Sequence, residues 1–342
     1  MYITETGMVC PVGLSASAAC AAMRAGFAKF DEWPFHYTQG GAIVGAAVPG
    51  LAFHVRRGPR LVAMLCGALA DCLKEQADLS MEQVPLLVGL AEPGRPGGAA
   101  DLASTLVETV EERLNLHFHP TLSRTLSKGH TAGFEALRIA RDLLATSEVS
   151  TCVVAGVDSY FNATVLEWLE QDSRLKTEEN SNGVIPGEAG AAVLVQREPA
   201  SATGVTVEVA GFGFAMEKVN VLSEEPFLGL GLAVAARQAL AEAQLALHEM
   251  DFRLSDVTGE SYGFKEQALL LARVMRGRRE KFPIWHCADS IGDTGAAAGV
   301  CQLVRAWHAF QKGYAPGDGG IGFTSSVPGD RSVAILNREN SA

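Results

Sequence analysis

Two stretches far apart in the 342-residue chain are built alike, and such a repeat restricts the fold to one made of two related halves. GHTAGFEALRIARDLLA opens on Gly129-His130-Thr131-Ala132, and GDTGAAAGVCQLVRAWHAF opens on Gly292-Asp293-Thr294-Gly295. Both continue with apolar residues at helical spacing: Phe134, Leu137, Ile139 and Leu143 in the first, Val300, Leu303, Val304, Trp307 and Phe310 in the second. Their Ala and Gly content leaves apolar surface on more than one face, which predicts helices buried between layers. The segments after the two helices match too. The first runs through TCVVAG (151–156) to Gly187-Glu188-Ala189-Gly190 and AAVLVQRE; the second runs through GGIGFTSS to Gly329-Asp330 and SVAILNRE. The order helix, strand, turn, strand thus occurs twice, the first copy lengthened by a polar segment (171–182) whose acidic part KTEENSN (176–182) is expected to be a solvated loop. The boundary is placed near Pro199-Ala200, giving halves 1–198 and 199–342.

The remaining pattern alternates strands and helices. YITETGMVCPVG reads as strand and turn, 16–25 and 61–79 as helices, 84–92 as a short apolar strand, and EPGRPGG as loop. In the second half VTVEVAGFGFA reads as strand, LGLGLAVAARQALAEAQLA as helix and KFPIWHCA as strand. This predicts a layered α/β protein with buried sheets.

Charge excludes some partners. The net charge of −11 lacks the basic footprint of a nucleic-acid or anionic-membrane binder. No segment reaches the roughly 18 apolar residues of a membrane span, and no basic stretch precedes the apolar N-terminus, so a cytoplasmic protein is expected. Seven cysteines without a CxxC pair suggest neither a disulfide framework nor a zinc site. No metal or cofactor is expected.

Read in order, ITETGMVCPVG with its following helix, GHTAGFEALRIAR, AGVDSY, GVIPGEAGAAVLV and GDTGAAAG resemble the β-ketoacyl synthases (3-oxoacyl-acyl-carrier-protein synthases) of the thiolase-like superfamily, over nearly the whole chain. The resemblance implies a thiolase-like α/β fold: duplicated βαβαβ halves in a five-layer α-β-α-β-α sandwich. It also implies a homodimer, formed by pairing of an edge strand near TCVVAG. The family's chemistry rests on a cysteine on a tight turn at a buried helix N-terminus, where backbone N–H groups favour thiolate and hold an oxyanion. Two histidines, or a histidine and an asparagine, stabilise the enolate. An ungapped alignment of GHTAGFEALRIAR puts Leu126 at the cysteine position, Glu260 in SDVTGESYGFKEQA at the first histidine and Asp293 at the second. Leucine cannot be acylated, and a carboxylate donates to an enolate only when protonated. The family's lysine is missing as well, from the stretch holding Ala288, Asp289 and Ser290.

The resemblance therefore implies a synthase-like protein that has lost condensing chemistry and acts by binding an acyl group, a carrier protein, an active synthase subunit or an adaptor partner such as a bacterial secretion effector. The alternative is an active 3-oxoacyl synthase or acyltransferase using Ser127 as nucleophile with His130 as base; Ser127 is better explained as capping the helix or a neighbouring loop, because nothing in the sequence orients His130. Asp293 also suits a helix N-terminus, and Glu260 with Asp293 is a candidate carboxylate pair for acid/base work or a divalent ion. Gly129, Gly187, Glu188 and Gly292 are the substrate-binding candidates, Glu188 accepting backbone N–H groups in its Gly-rich turn. His117 and His119 share a strand face in LHFHP but lack a third ligand. His286 and Cys287, adjacent in a strand, point apart.

Overall fold

The computed structural model describes residues 1–98, 100–146, 148–199 and 205–340. In chain order the strands are β1 (Tyr2–Val9), the hairpin strands β2 (Asp31–His36) and β3 (Ala42–Gly45), then β4 (Leu86–Leu90), β5 (Arg124–Ser127), β6 (Thr151–Ser159) and β7 (Glu188–Gln196). They continue with β8 (Val205–Met216), β9 (Phe252–Ser255), β10 (Ile284–His286), β11 (Gly319–Ser325) and β12 (Asp330–Asn340). The large sheet has the order β10-β9-β11-β12-β8-β1-β7-β6-β4-β5. Ranked within its own five, each block reads third, second, fourth, fifth, first. In both, the second strand runs parallel to the third and fourth, and the fifth is antiparallel to the fourth and first. The blocks join through Tyr2 opposite Glu208 and Ile3 opposite Val207. The repeat seen in the residues is thus a repeat of topology. The expected boundary at 199–200 abuts residues 200–204, which lie outside the described residues.

Nine helices flank these strands among the described residues: α1 (Ala16–Arg24), α2 (Gly58–Leu73), α3 (Leu106–Leu114), α4 (Ala132–Thr146), α5 (Ala163–Gln171), α6 (Leu230–Glu242), α7 (Ser261–Val274), α8 (Ala288–Ile291) and α9 (Ala298–Gln311). The two Gly-led helices are α4 and α9, which touch each other and strands of both blocks. Helices α2 and α3 cover the outer face of the first block, and α6 and α7 that of the second. The five expected layers are present. Small residues set the spacing. A Cβ on Gly133 of α4 would lie 2.8 Å from Val300 Cγ2, and one on Gly156 of β6 would lie 2.6 Å from the Ala296 carbonyl. Contacts this close need glycine.

Several expectations are corrected. The second helix ends at Leu73, not residue 79, and the strand near TCVVAG lies inside the sheet between β4 and β7, so it offers no edge. The edges are β5 and β10. His117 and His119 lie in a loop, where His119 Nδ1 accepts the Thr121 and Leu122 N–H groups. The loop 176–182 is largely exposed, as expected, but Arg174 just ahead of it is buried, and Asn180 donates to the carbonyls of Ser173 and Leu175.

Glu188 does not serve its own turn. Its carboxylate, fully buried, receives Arg60 Nε and Nη2 at 2.6 Å each, Ser159 Oγ at 2.6 Å and the Val48 N–H at 2.7 Å. Arg60 Nη1 donates to the carbonyls of Leu51, Ala52 and Val55, tying α2 and the loop before it to β7. A buried pair with this many partners resists loss of one member, since the other is left charged and unmatched. Glu188→Ala is expected to lower stability by about 3–5 kcal/mol in denaturant titration, with Glu188→Leu combined with Arg60→Met recovering most of that loss.

Candidate functional site

Gly129 takes a φ of 57°, open to glycine, and starts a 3-10 turn (Gly129–Thr131) that runs directly into α4. The second half repeats the device. Gly295, with φ 48°, starts the turn Gly295–Ala297 that runs into α9. In the first turn Thr131 Oγ1 donates to the Lys128 carbonyl at 2.9 Å, and His130 sits between, buried. Its Nε2 lies 2.8 Å from Asp293 Oδ1, which also accepts the Gly295 N–H at 2.9 Å. Asp293 is held by its backbone: its N–H donates to the Ile185 carbonyl and its carbonyl accepts the Gly187 N–H. Gly292, at φ 69°, lets the chain make this approach. Gly129, Gly187 and Gly292 thus frame the His130–Asp293 pair, whereas Glu188 belongs to the Arg60 pair.

Further charges gather around it. Arg174 grips Glu260 with Nε and Nη2, each at 2.8 Å. Arg331 Nε donates to Glu266 Oε1 at 2.7 Å and its Nη2 to the Tyr262 hydroxyl at 2.8 Å. Asp256, the first residue after β9, accepts the Ser325 N–H at 2.6 Å. All of these line one cavity of about 60 Å³, room for roughly four waters. Two buried nitrogens here, His130 Nδ1 and Arg174 Nη1, have no protein partner.

Electrostatics follow from the pairing. Burial by itself would lower the His130 pKa, but the Asp293 carboxylate outweighs it and raises it to about 9. Burial would likewise raise Asp293, yet the His130 imidazolium holds it below the usual carboxylate range. Asp256 is pushed up to about 6 by burial, against the pull of His130 and the Ser325 N–H. At neutral pH the centre holds an imidazolium between carboxylates.

The sequence-derived site residues divide accordingly. Leu126 is a β5 residue packed against the central core, off the turn; the residue on the turn is His130. Ser127 ends β5 opposite Leu90, neither capping a helix nor hydrogen-bonded to His130. Glu260 caps the start of α7 without a side-chain bond to it, pairs with Arg174 and lines the same cavity as Asp293. The acid that faces His130 after the strand is Asp256. His286 ends β10 and Cys287 precedes α8, buried. No group of three or more His, Cys, Asp or Glu suited to a metal occurs among the described residues.

No family model and no curated protein sequence matches the chain. Solved structures do. The oxazolomycin ketosynthase domain OzmH KS7 of Streptomyces albus JA3453 superposes with a TM-score of 0.79 at 16% identity, covering 100% of this chain and 75% of that one. The Xenorhabdus doucetiae ketosynthase ApeO with its chain length factor ApeC gives 0.77 at 16% identity, covering 98% and 97%. The ishigamide ketosynthase/chain length factor gives 0.73 at 19% identity, covering 98% of each. The fold is a ketosynthase fold.

Within that ketosynthase fold, sequence reasoning missed Asp256, Arg174, Tyr262, Glu266 and Arg331. One carried a signal: Asp256 directly follows β9, whereas Arg331 sits in the polar start of β12, ahead of its apolar run. Arg174 carried none, because it hides in a polar segment.

Because the folded pKa of His130 is raised, its contribution to stability is full below about 6.5 and is lost as pH rises through about 9. NMR titration of the His130 ring is expected to show a midpoint near 9 that falls in Asp293→Asn, where Asp256 and Glu92 alone still oppose burial. An unchanged midpoint in that variant would remove Asp293 as the cause.

Proposed function

We propose that this chain is a non-condensing ketosynthase-like protein that acts by binding a partner protein, as a chain-length-factor-like or adaptor subunit. The observation that carries this reading is the paired His130–Asp293 centre. His130 stands on the turn where the resemblance implies a nucleophilic cysteine, and Asp256 and Asp293 stand where two donors would converge. An imidazolium has no lone pair with which to attack a thioester or take a proton. Two carboxylates beside it repel an enolate rather than stabilise it.

No thiol substitutes. All seven cysteines are buried, and burial pushes those of Cys10 and Cys152 up to about 12, so thiolate is not populated at neutral pH. Ser127 lacks a bonded base, which disfavours the acyltransferase reading. A subunit that continues the sheet across a two-fold axis would use the β5 or β10 edge. No helix is long and apolar enough to cross a membrane among the described residues.

Intact-protein mass spectrometry after incubation with acyl-CoA and acyl-carrier-protein thioesters tests the reading. The expected result is no covalent adduct on the wild type, Ser127→Ala or His130→Ala proteins. An adduct on the wild type that disappears in Ser127→Ala would instead make this a serine acyltransferase.

A further inference from the structure

We infer that the outward face of α6, with the segment leading into it and the C-terminal end of α7, is a docking surface for an acidic amphipathic helix of a partner protein. This gives the proposed binding role a surface, and it is tested by a measurement independent of the acylation assay.

Two observations meet there. Of ten exposed large hydrophobic residues among those described, five fall between residues 216 and 234: Met216, Leu222, Leu228, Leu230 and Val234. Single exposed apolar residues need no explanation, but a local concentration marks an interaction surface. Leu230, Val234 and Arg237 lie at i, i+4 and i+7, on one exposed stripe of α6 that begins apolar and ends basic.

The second observation is charge. In a chain of net charge −11, the stretch 273–281 carries Arg273, Arg276, Arg278, Arg279 and Lys281 against the single acid Glu280. Arg279 is paired with Asp251. Arg273 Nε reaches the Leu228 carbonyl at 3.0 Å, and Arg237 Nη2 reaches the Arg273 carbonyl at 3.1 Å. Those bonds join the basic end of α7 to the apolar start of α6 while leaving both guanidinium charges without a carboxylate. Arg276, Arg278 and Lys281 are exposed.

An apolar stripe bordered by unneutralised cations fits a helix with leucine-like residues on one face and Asp or Glu flanking it. A nucleic acid or lipid surface fits less well, because the rest of the protein would repel it. The occupant would also touch the segment over the cavity. Val221 lines that cavity, and the Tyr262 hydroxyl, bonded to Arg331, donates to the Val219 carbonyl.

The test uses the full chain and a fluorescein-labelled synthetic helix of about 18 residues with a Leu stripe and Glu flanks, read by fluorescence anisotropy. Saturable micromolar binding is expected, weakened about tenfold or more in Leu230→Asp/Val234→Asp and in Arg276→Glu/Arg278→Glu, and weakened by added salt. A peptide of the same composition with its stripe scrambled should bind about tenfold more weakly. Circular dichroism melting should show both variants folded, since every substituted side chain is exposed. Absent binding, or binding indifferent to both variants, would overturn the proposal, as would equal affinity for a DNA duplex or for phosphatidylserine vesicles. Sedimentation velocity showing that Leu230→Asp/Val234→Asp dissociates a dimer would overturn it in favour of a second copy of this chain. Failure here alongside an absence of acyl adducts would leave the binding role standing without this surface.

Discussion

The contact between His130 Nε2 and Asp293 Oδ1 joins the two halves of the chain at the point where their central helices begin. A cation is badly placed at the start of α4, since a helix N-terminus carries partial positive charge and burial strips the ring of water. Asp293 removes both difficulties. Its carboxylate lies at the start of the second turn, where the Gly295 N–H favours negative charge, and it neutralises the imidazolium across the join. Neither residue would be well placed alone, so the geometry of the centre depends on the pair.

The same economy of charge appears at the start of α9. Asp158, at the end of β6, accepts the Ala296 N–H at 2.9 Å with Oδ2 and receives both Arg95 Nη1 and Nη2. One carboxylate thus answers a helix N-terminus and a buried guanidinium together. Around the cavity, Arg174–Glu260 and Arg331–Glu266 follow the rule that buried charges are paired. Asp256 departs from it by accepting a backbone N–H in place of a cation's, and its carboxyl is correspondingly pushed up to about 6. Pairs of this kind gain little net stability over a well-packed apolar core, because desolvation offsets much of the attraction. Their effect is to fix which side chains face one another.

The sequence revealed local pattern far better than long-range placement. Phe134 and Leu137, with Val300 and Leu303, show helical period directly, and the Gly-led starts recur because both central helices need a turn that brings their backbones close. The thiolase-like fold was therefore legible. Strand order was not: whether β6 is an edge depends on β4, β7 and residues from distant parts of the chain, and nothing in TCVVAG encodes it. The site was less legible for a related reason. Counting without a gap placed Leu126 at the nucleophile, whereas the 3-10 turn puts His130 at the helix start, and the same counting chose Glu260 where Asp256 follows the strand. Arg174 reaches the centre from a polar segment whose turn Asn180 closes onto the Ser173 and Leu175 carbonyls.

The charges at the centre have the opposite sense to those a condensing site requires. A thiolate at a helix N-terminus, faced by donors, creates a place where negative charge can develop on a substrate oxygen. Here the turn presents positive charge and the facing residues are negative, so the helix dipole opposes the group at its start instead of activating it. The arrangement is stable only while the charges stay matched. A substrate anion that took the place of Asp293 at the imidazolium would break a buried pair to form one new contact. That exchange is unfavourable unless the ligand offers the same charge in the same place. On the exterior, around α6 and α7, unmatched charge and uncovered apolar surface coincide.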